Sequence, residues 1–188
     1  MDHDLHLPPG GLVTTAAAVV LHPHPAMGGD RHHPLVVAMS EGLAATDVAA
    51  LRVDLRDPDV DAAAAQVEAI AADLLSDTGA GLVVLVGYSW GAAVAAQTSP
   101  AGLAARVLVA PPVAMLQPGT TSTLRSGDIP ALALVPAHDQ YGSPDEVRAV
   151  LGDVPNVAIE IVEGSDHFLA GAVTRIADRA VAWISEQL

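Results

Sequence analysis

Short apolar runs recur along this chain, and between them lie stretches whose apolar residues return at helical spacing. The runs are Ala16-Ala17-Ala18-Val19-Val20-Leu21, Ala50–Val53, Gly81-Leu82-Val83-Val84-Leu85-Val86, Ala105-Arg106-Val107-Leu108-Val109-Ala110, Ala131-Leu132-Ala133-Leu134-Val135-Pro136 and Val157-Ala158-Ile159-Glu160-Ile161-Val162. They have strand length and, for the most part, no polar alternation, which predicts strands covered on both faces. One more short strand is expected near Leu12-Val13. Helices are predicted over Leu35–Ala45, Val60–Ser76, Ala92–Gln97 and Val173–Glu186, with another opened by Ser143 as cap and Pro144 in its first turn. Val60, Ala64, Val67, Ala71 and Leu74 share one helical face. In the last helix Val173, Ile176, Ala177 and Ala180, with Trp183 or Ile184, turn toward the sheet. Strands alternating with helices in this way predict an α/β fold: a mostly parallel central sheet with helices on both faces. No linker or repeat breaks the pattern, so residues 1–188 are expected to form a single domain.

Composition narrows the function classes. The 188 residues are 51% hydrophobic, enough for a substantial core. The formal charge is −14, from 22 acidic residues against 8 arginines and no lysine. That balance argues against nucleic acid and anionic membranes as partners. The chain has no cysteine, so neither a disulfide framework nor thiol chemistry is expected. Met1 to Gly11 is polar and acidic without a signal-like apolar core, and no apolar run reaches membrane-spanning length. The cytoplasm is the expected compartment, and no cofactor is called for.

The chemistry concentrates in loops that follow predicted strands. Gly87-Tyr88-Ser89-Trp90-Gly91 lies between a strand and a helix, the context of a nucleophile elbow. Its turn is so tight that residues two positions from the serine must lack side chains, and Gly87 and Gly91 satisfy this. Serine needs a base, and the base needs an orienting acid. Asp139 follows the strand at Ala131, and His167 follows the strand at Val157. Asp166, Asp145 and Asp128 compete with Asp139 for the acid role. Asp166 adjoins His167 and reads better as a loop-structuring residue, and Asp145 suits a helix first turn. An oxyanion hole needs two N–H donors. One is Trp90, the residue after the nucleophile. The other must come from His22-Pro23-His24-Pro25-Ala26-Met27-Gly28-Gly29, where the prolines have no N–H. His24 is the first choice, with Ala26 or Met27 behind it.

These pieces, with Ala110-Pro111-Pro112-Val113, span nearly the whole chain in order. On them the chain resembles the α/β-hydrolase superfamily, and more narrowly the small capless bacterial hydrolases with a His-Pro-His-Pro…Gly-Gly loop. The resemblance implies a Ser89–His167–Asp139 triad and hydrolysis of an ester-like acyl bond. Short-chain carboxylic esters or thioesters are the expected small-molecule acyl substrates. A peptidase or amidase with the same triad is one alternative, and a non-catalytic binding protein on the same fold is another. Relatives often carry a glycine-rich turn where this chain has Val53 to Asp59, and many have glycine at the position of Ala137.

Remaining candidates are weaker in pattern. Met27, Tyr88, Met115, Tyr141 and Phe168 are the expected substrate contacts, and Trp90 is read as a pocket wall at least as readily as core. His22, His24, His32 and His33 do not have the spacing of a closed metal set; no metal is expected, and a structural role within the loop suits His22. Pro111 to Pro130 is too short for a cap domain and is expected to form at most a flexible flap.

Overall fold

A computed structural model describes residues 2–11 and 14–188; the strand expected at Leu12-Val13 lies outside the described residues. Seven strands form one sheet: β1 (His3–His6), β2 (Ala16–Leu21), β3 (Val48–Val53), β4 (Leu82–Tyr88), β5 (Leu103–Val109), β6 (Ala131–His138) and β7 (Val157–Asp166). Their order is β1-β3-β2-β4-β5-β6-β7. All neighbours are parallel except β1, which pairs antiparallel with β3. The helices are α1 (Pro34–Ala44), α2 (Val60–Thr78), α3 (Trp90–Gln97), α4 (Thr120–Arg125), α5 (Pro144–Leu151) and α6 (Val173–Gln187).

Strand side chains alternate between two cores, because successive residues point to opposite sheet faces. Ala17, Val19, Leu21, Val83 and Leu85 pack with residues of α2, α3 and α5. Ala16, Ala18, Val20, Val84 and Val86 pack with α1 and α6. Helix starts are set by local chemistry. The Asp59 carboxylate accepts the Ala62 N–H at 2.8 Å to cap α2. Ser143 and Glu146 form a reciprocal capping box with Pro144 in the first turn of α5. The Ser143 hydroxyl and N–H hold the Glu146 carboxyl below its ordinary range.

Several boundaries differ from the sequence expectation. The polar His3–His6 segment is a strand because the β3 edge supplies its partners. β7 continues past Val162 to Asp166, since β6 supplies pairing as far as His138 across a register shift. Pro111 to Pro130 is not a loose flap. It carries a 3₁₀ turn at Val113–Met115 and the helix α4. Leu124 is fully buried, and the Thr120 hydroxyl donates to Gln97 Oε1 at 2.8 Å.

Arg106 is the unusual core residue. It is completely buried on β5. It donates to Ala95 O, Thr98 O and Ser99 Oγ, covering carbonyls at the end of α3. Burial pushes its pKa down to about 10, which leaves it a cation at neutral pH. Among the described residues its Nη1 has no hydrogen-bond partner.

Candidate active site

The parallel strands end along one sheet edge, and the candidate residues gather there. β4 passes into α3 through a single turn residue, Ser89, at φ 55° and ψ −121°. This left-handed backbone costs a non-glycine residue free energy and is tolerated only where the surroundings enforce it. The enforcement is close packing. A Cβ on Gly87 would sit 2.1 Å from Gly91 O, and one on Gly91 would sit 2.6 Å from His22 O. The Ser89 N–H donates to Val109 O at 2.9 Å, and the Ser89 carbonyl accepts from Ala92 N–H at 2.8 Å. The Ser89 side chain makes no capping bond to α3. Trp90 N–H stands in the first turn, where a helix offers no internal acceptor.

Ser89 Oγ lies 2.8 Å from His167 Nε2. His167 Nδ1 lies 2.9 Å from both carboxylate oxygens of Asp139. A carboxylate can only accept, so Nδ1 carries the proton and Nε2 is free to accept from the serine hydroxyl. Tyr141 and Gly142 N–H also donate to Asp139 Oδ1, at 2.8 and 3.2 Å. All three side chains are buried. The Tyr88 hydroxyl donates to the His167 carbonyl at 2.8 Å. Burial, with Asp139 and Asp166 nearby, pushes the Tyr88 pKa up to about 12. The rival acids are engaged elsewhere. Asp166 accepts the Phe168 N–H, Asp145 pairs with Arg148, and Asp128 is exposed.

The loop after β2 is organised by His22. Its Nε2 accepts the Leu55 N–H at 2.9 Å, so its proton sits on Nδ1 and is donated to Pro23 O at 2.6 Å. In a trans peptide the C=O and the following N–H point in opposite directions. Anchoring Pro23 C=O to His22 therefore turns the His24 N–H the other way. The later N–H groups are spent inside the loop. Ala26 donates to His24 Nδ1, Met27 and Gly29 to His24 O, and Gly28 to Pro25 O. Gly29 is required by space, since a Cβ there would lie 2.1 Å from Pro23 O. Beyond the loop, Arg31 N–H donates to Asp54 Oδ1 at 2.8 Å, and the Arg31 guanidinium joins Asp54 and Asp4. The Asp54–Leu55 segment thus braces this loop.

Ser89 and His167 open into a pocket of about 200 Å³, small for a ligand site. Its lining is mostly apolar and contains no arginine, aspartate or glutamate. Met27, Phe168 and Tyr141 form much of the rim, at 75%, 61% and 46% exposure.

The sequence profile of the alpha/beta hydrolase family matches residues 18–185. The chain belongs to that family. No curated protein matches it. An alpha-beta serine hydrolase homologue from Coxiella burnetii superposes with TM-score 0.81 at 20% identity, covering 96% of this chain and 89% of that one. A serine hydrolase without lid from Xanthomonas campestris gives TM-score 0.77 at 20% identity, covering 96% and 85%. Est1E from Butyrivibrio proteoclasticus, a structure with ferulic acid bound, gives TM-score 0.85 at 13% identity, covering 99% and 94%. At such identities the likeness speaks for the fold alone.

Within this alpha/beta hydrolase, Met27, Tyr88, Met115, Tyr141 and Phe168 all line the pocket, as do His24 and Ser89. Trp90 does not. Its indole is 0% exposed and donates to Pro58 O at 2.9 Å. This corrects the expectation of a pocket wall: the helix start turns the side chain under the loop, against the His22 ring at 5.7 Å. His33, Pro23, Gly29 and Pro112 line the pocket without having been singled out for it. His33-Pro34 carried a usable signal, because a capping residue and proline before an apolar run mark a helix start at this edge.

Proposed function

We propose that this alpha/beta hydrolase is a serine hydrolase that cleaves small carboxylic esters or thioesters through an acyl-enzyme. The observation that carries the reading is the unbroken chain from Ser89 Oγ to His167 Nε2 and from Nδ1 to Asp139, opening into an apolar pocket. In this reading the Ser89 oxygen attacks the acyl carbon as His167 takes its proton. Asp139 holds the imidazole in register and stabilises its cation. Trp90 N–H and His24 N–H bind the negative oxygen of the tetrahedral intermediate. His167 then protonates the departing alcohol or thiol. A water, deprotonated by His167, releases the acid by the reverse steps. Every step uses protein groups and water.

The small pocket favours a short acyl chain, and its neutral lining favours an uncharged one. Solved structures of similar fold, among them an esterase and a lidless serine hydrolase, point the same way. The test is a panel of para-nitrophenyl esters from acetate to hexanoate, matching thioesters, and para-nitroanilides. The expected result is saturable ester turnover that falls about 10⁴-fold or more in Ser89→Ala. Ester rates equal in the two proteins would overturn the reading, and anilide turnover exceeding ester turnover would make the protein an amidase.

A further inference from the structure

We propose that His33 selects the substrate: its Nε2–H donates to an uncharged oxygen in the acyl part, so the preferred substrates are hydroxy-, alkoxy- or oxo-acyl esters. The inference rests on the ester-hydrolase reading of Ser89 and names the acyl class that the pocket takes.

His33 lines the pocket and is half-buried. Its Nδ1 accepts the Leu35 N–H at 3.3 Å, which makes it the cap of α1. A backbone N–H can only donate, so Nδ1 is the unprotonated nitrogen and Nε2 carries the hydrogen. Burial lowers the pKa of this histidine, keeping the ring neutral at neutral pH. The cap and the Tyr88 ring, with centroids 4.9 Å apart, hold the imidazole in place. Among the described residues Nε2–H has no hydrogen-bond partner. It is a preset donor in a pocket that offers few other polar groups.

Position and charge select the group it would read. His167 must protonate the leaving oxygen, so the leaving group stands by His167 and its neighbour Phe168. The Tyr88 ring packs on both histidines, at 4.9 Å from His33 and 5.9 Å from His167, and both histidines line the pocket. In this proposal the acyl part lies by His33, which follows the His24 loop in the chain. The lining holds no arginine to neutralise a carboxylate, and the formal charge of −14 repels anions. The matching acceptor is therefore an uncharged ether, hydroxyl or carbonyl oxygen. A pure hydrocarbon chain leaves the donor dry and unpaired, which costs binding.

The experiment uses isosteric para-nitrophenyl esters that differ by one exchange of CH₂ for oxygen: butanoate against methoxyacetate, and pentanoate against β-methoxypropanoate. Within each pair kcat/KM is compared in the wild type, His33→Ser and His33→Asn. Both variants keep a side chain able to cap α1, and circular dichroism checks the fold. Comparing ratios between proteins cancels the intrinsic reactivity of each ester. A change of pocket shape moves both members of a pair together. The expected result is that the oxygen-to-hydrocarbon ratio of at least one pair falls about 3- to 10-fold in both variants. Ratios that stay fixed in folded variants overturn the proposal while leaving the hydrolase reading intact. Absence of any turnover above Ser89→Ala overturns both. Should the variants misfold, nitrogen NMR of the wild-type imidazoles carries the test. A phosphonate adduct bearing the ether oxygen must shift the His33 Nε2 signal relative to its hydrocarbon isostere, and an identical signal in the two adducts overturns the proposal.

Discussion

Two turns meet at the candidate active-site edge of the sheet, and they are held by different physics. The β4–α3 turn is held by backbone against backbone. Gly87, Gly91 and the Leu21–His22 carbonyls pack so closely that no side chain fits, and Ser89 is forced to φ 55°. The loop after β2 is held by side chains. His22 bonds Pro23 O and Leu55 N–H, and Arg31 ties the far end to Asp54. The first turn is part of the core, so disturbing it disturbs the fold. The second is a braced arm on the core, so disturbing it should move the proposed oxyanion donor while the fold survives. On the proposed function, steric enforcement and hydrogen-bonded bracing divide stability from turnover within one site.

The largest expected effect comes from breaking the steric turn. Gly87→Ala places a methyl 2.1 Å from Gly91 O and 2.6 Å from Ala92 N, both backbone atoms. We expect a loss of about 3 kcal/mol or more in denaturant unfolding. Unfolding at the wild-type midpoint would contradict the steric account. Next comes the braced loop. His22→Ala removes both ring hydrogen bonds and frees the Pro23–His24 peptide to rotate. We expect kcat to fall about 10²-fold with little change in KM, while the protein remains folded. A loss of stability with unchanged kcat would make His22 a packing residue only.

The smallest effect sharpens the comparison through pH. Tyr88 stands next to the first turn, with its ring against His33 at the start of α1 and its hydroxyl on the His167 carbonyl. Its folded pKa of about 12 lies above the ordinary phenol value of about 10. The fold therefore favours the protonated phenol. That contribution is fully present below pH about 10 and is lost as pH rises toward about 12. In melting curves across this window Tyr88→Phe should lose less stability than the wild type. At neutral pH it should be weaker by about 1 kcal/mol, from the missing hydrogen bond to His167 O. Parallel pH curves for the two proteins would contradict this.

The alternating plan of strands and helices was legible because buried parallel strands read as apolar runs. The elbow was legible because glycine is the only residue that fits where two backbones touch. The rest depends on contacts between distant parts of the chain. His3–His6 has no strand pattern of its own and is a strand only because β3 needs an edge partner. Thr120–Arg125 looks loose as a Ser/Thr-rich stretch, and Leu124 and the Thr120–Gln97 bond tie it down. For Trp90 the pattern allows pocket wall or core, and the handedness of the turn decides for core. The brace from Leu55 N–H to His22 crosses 33 positions, and no local signal announces it. His33, weighed in the sequence only as a metal ligand, differs: its signal is local, a helix cap, and only the fold brings that cap to the pocket of Ser89.

The central claim is that Ser89 is a nucleophile activated by His167. A fluorophosphonate probe reacts with such a serine, and mass spectrometry locates the adduct. The account predicts labelling at Ser89 in the wild type and a sharp drop in His167→Ala under the same conditions. Folded wild-type protein that takes no label at Ser89, or labelling undiminished in His167→Ala, would contradict it.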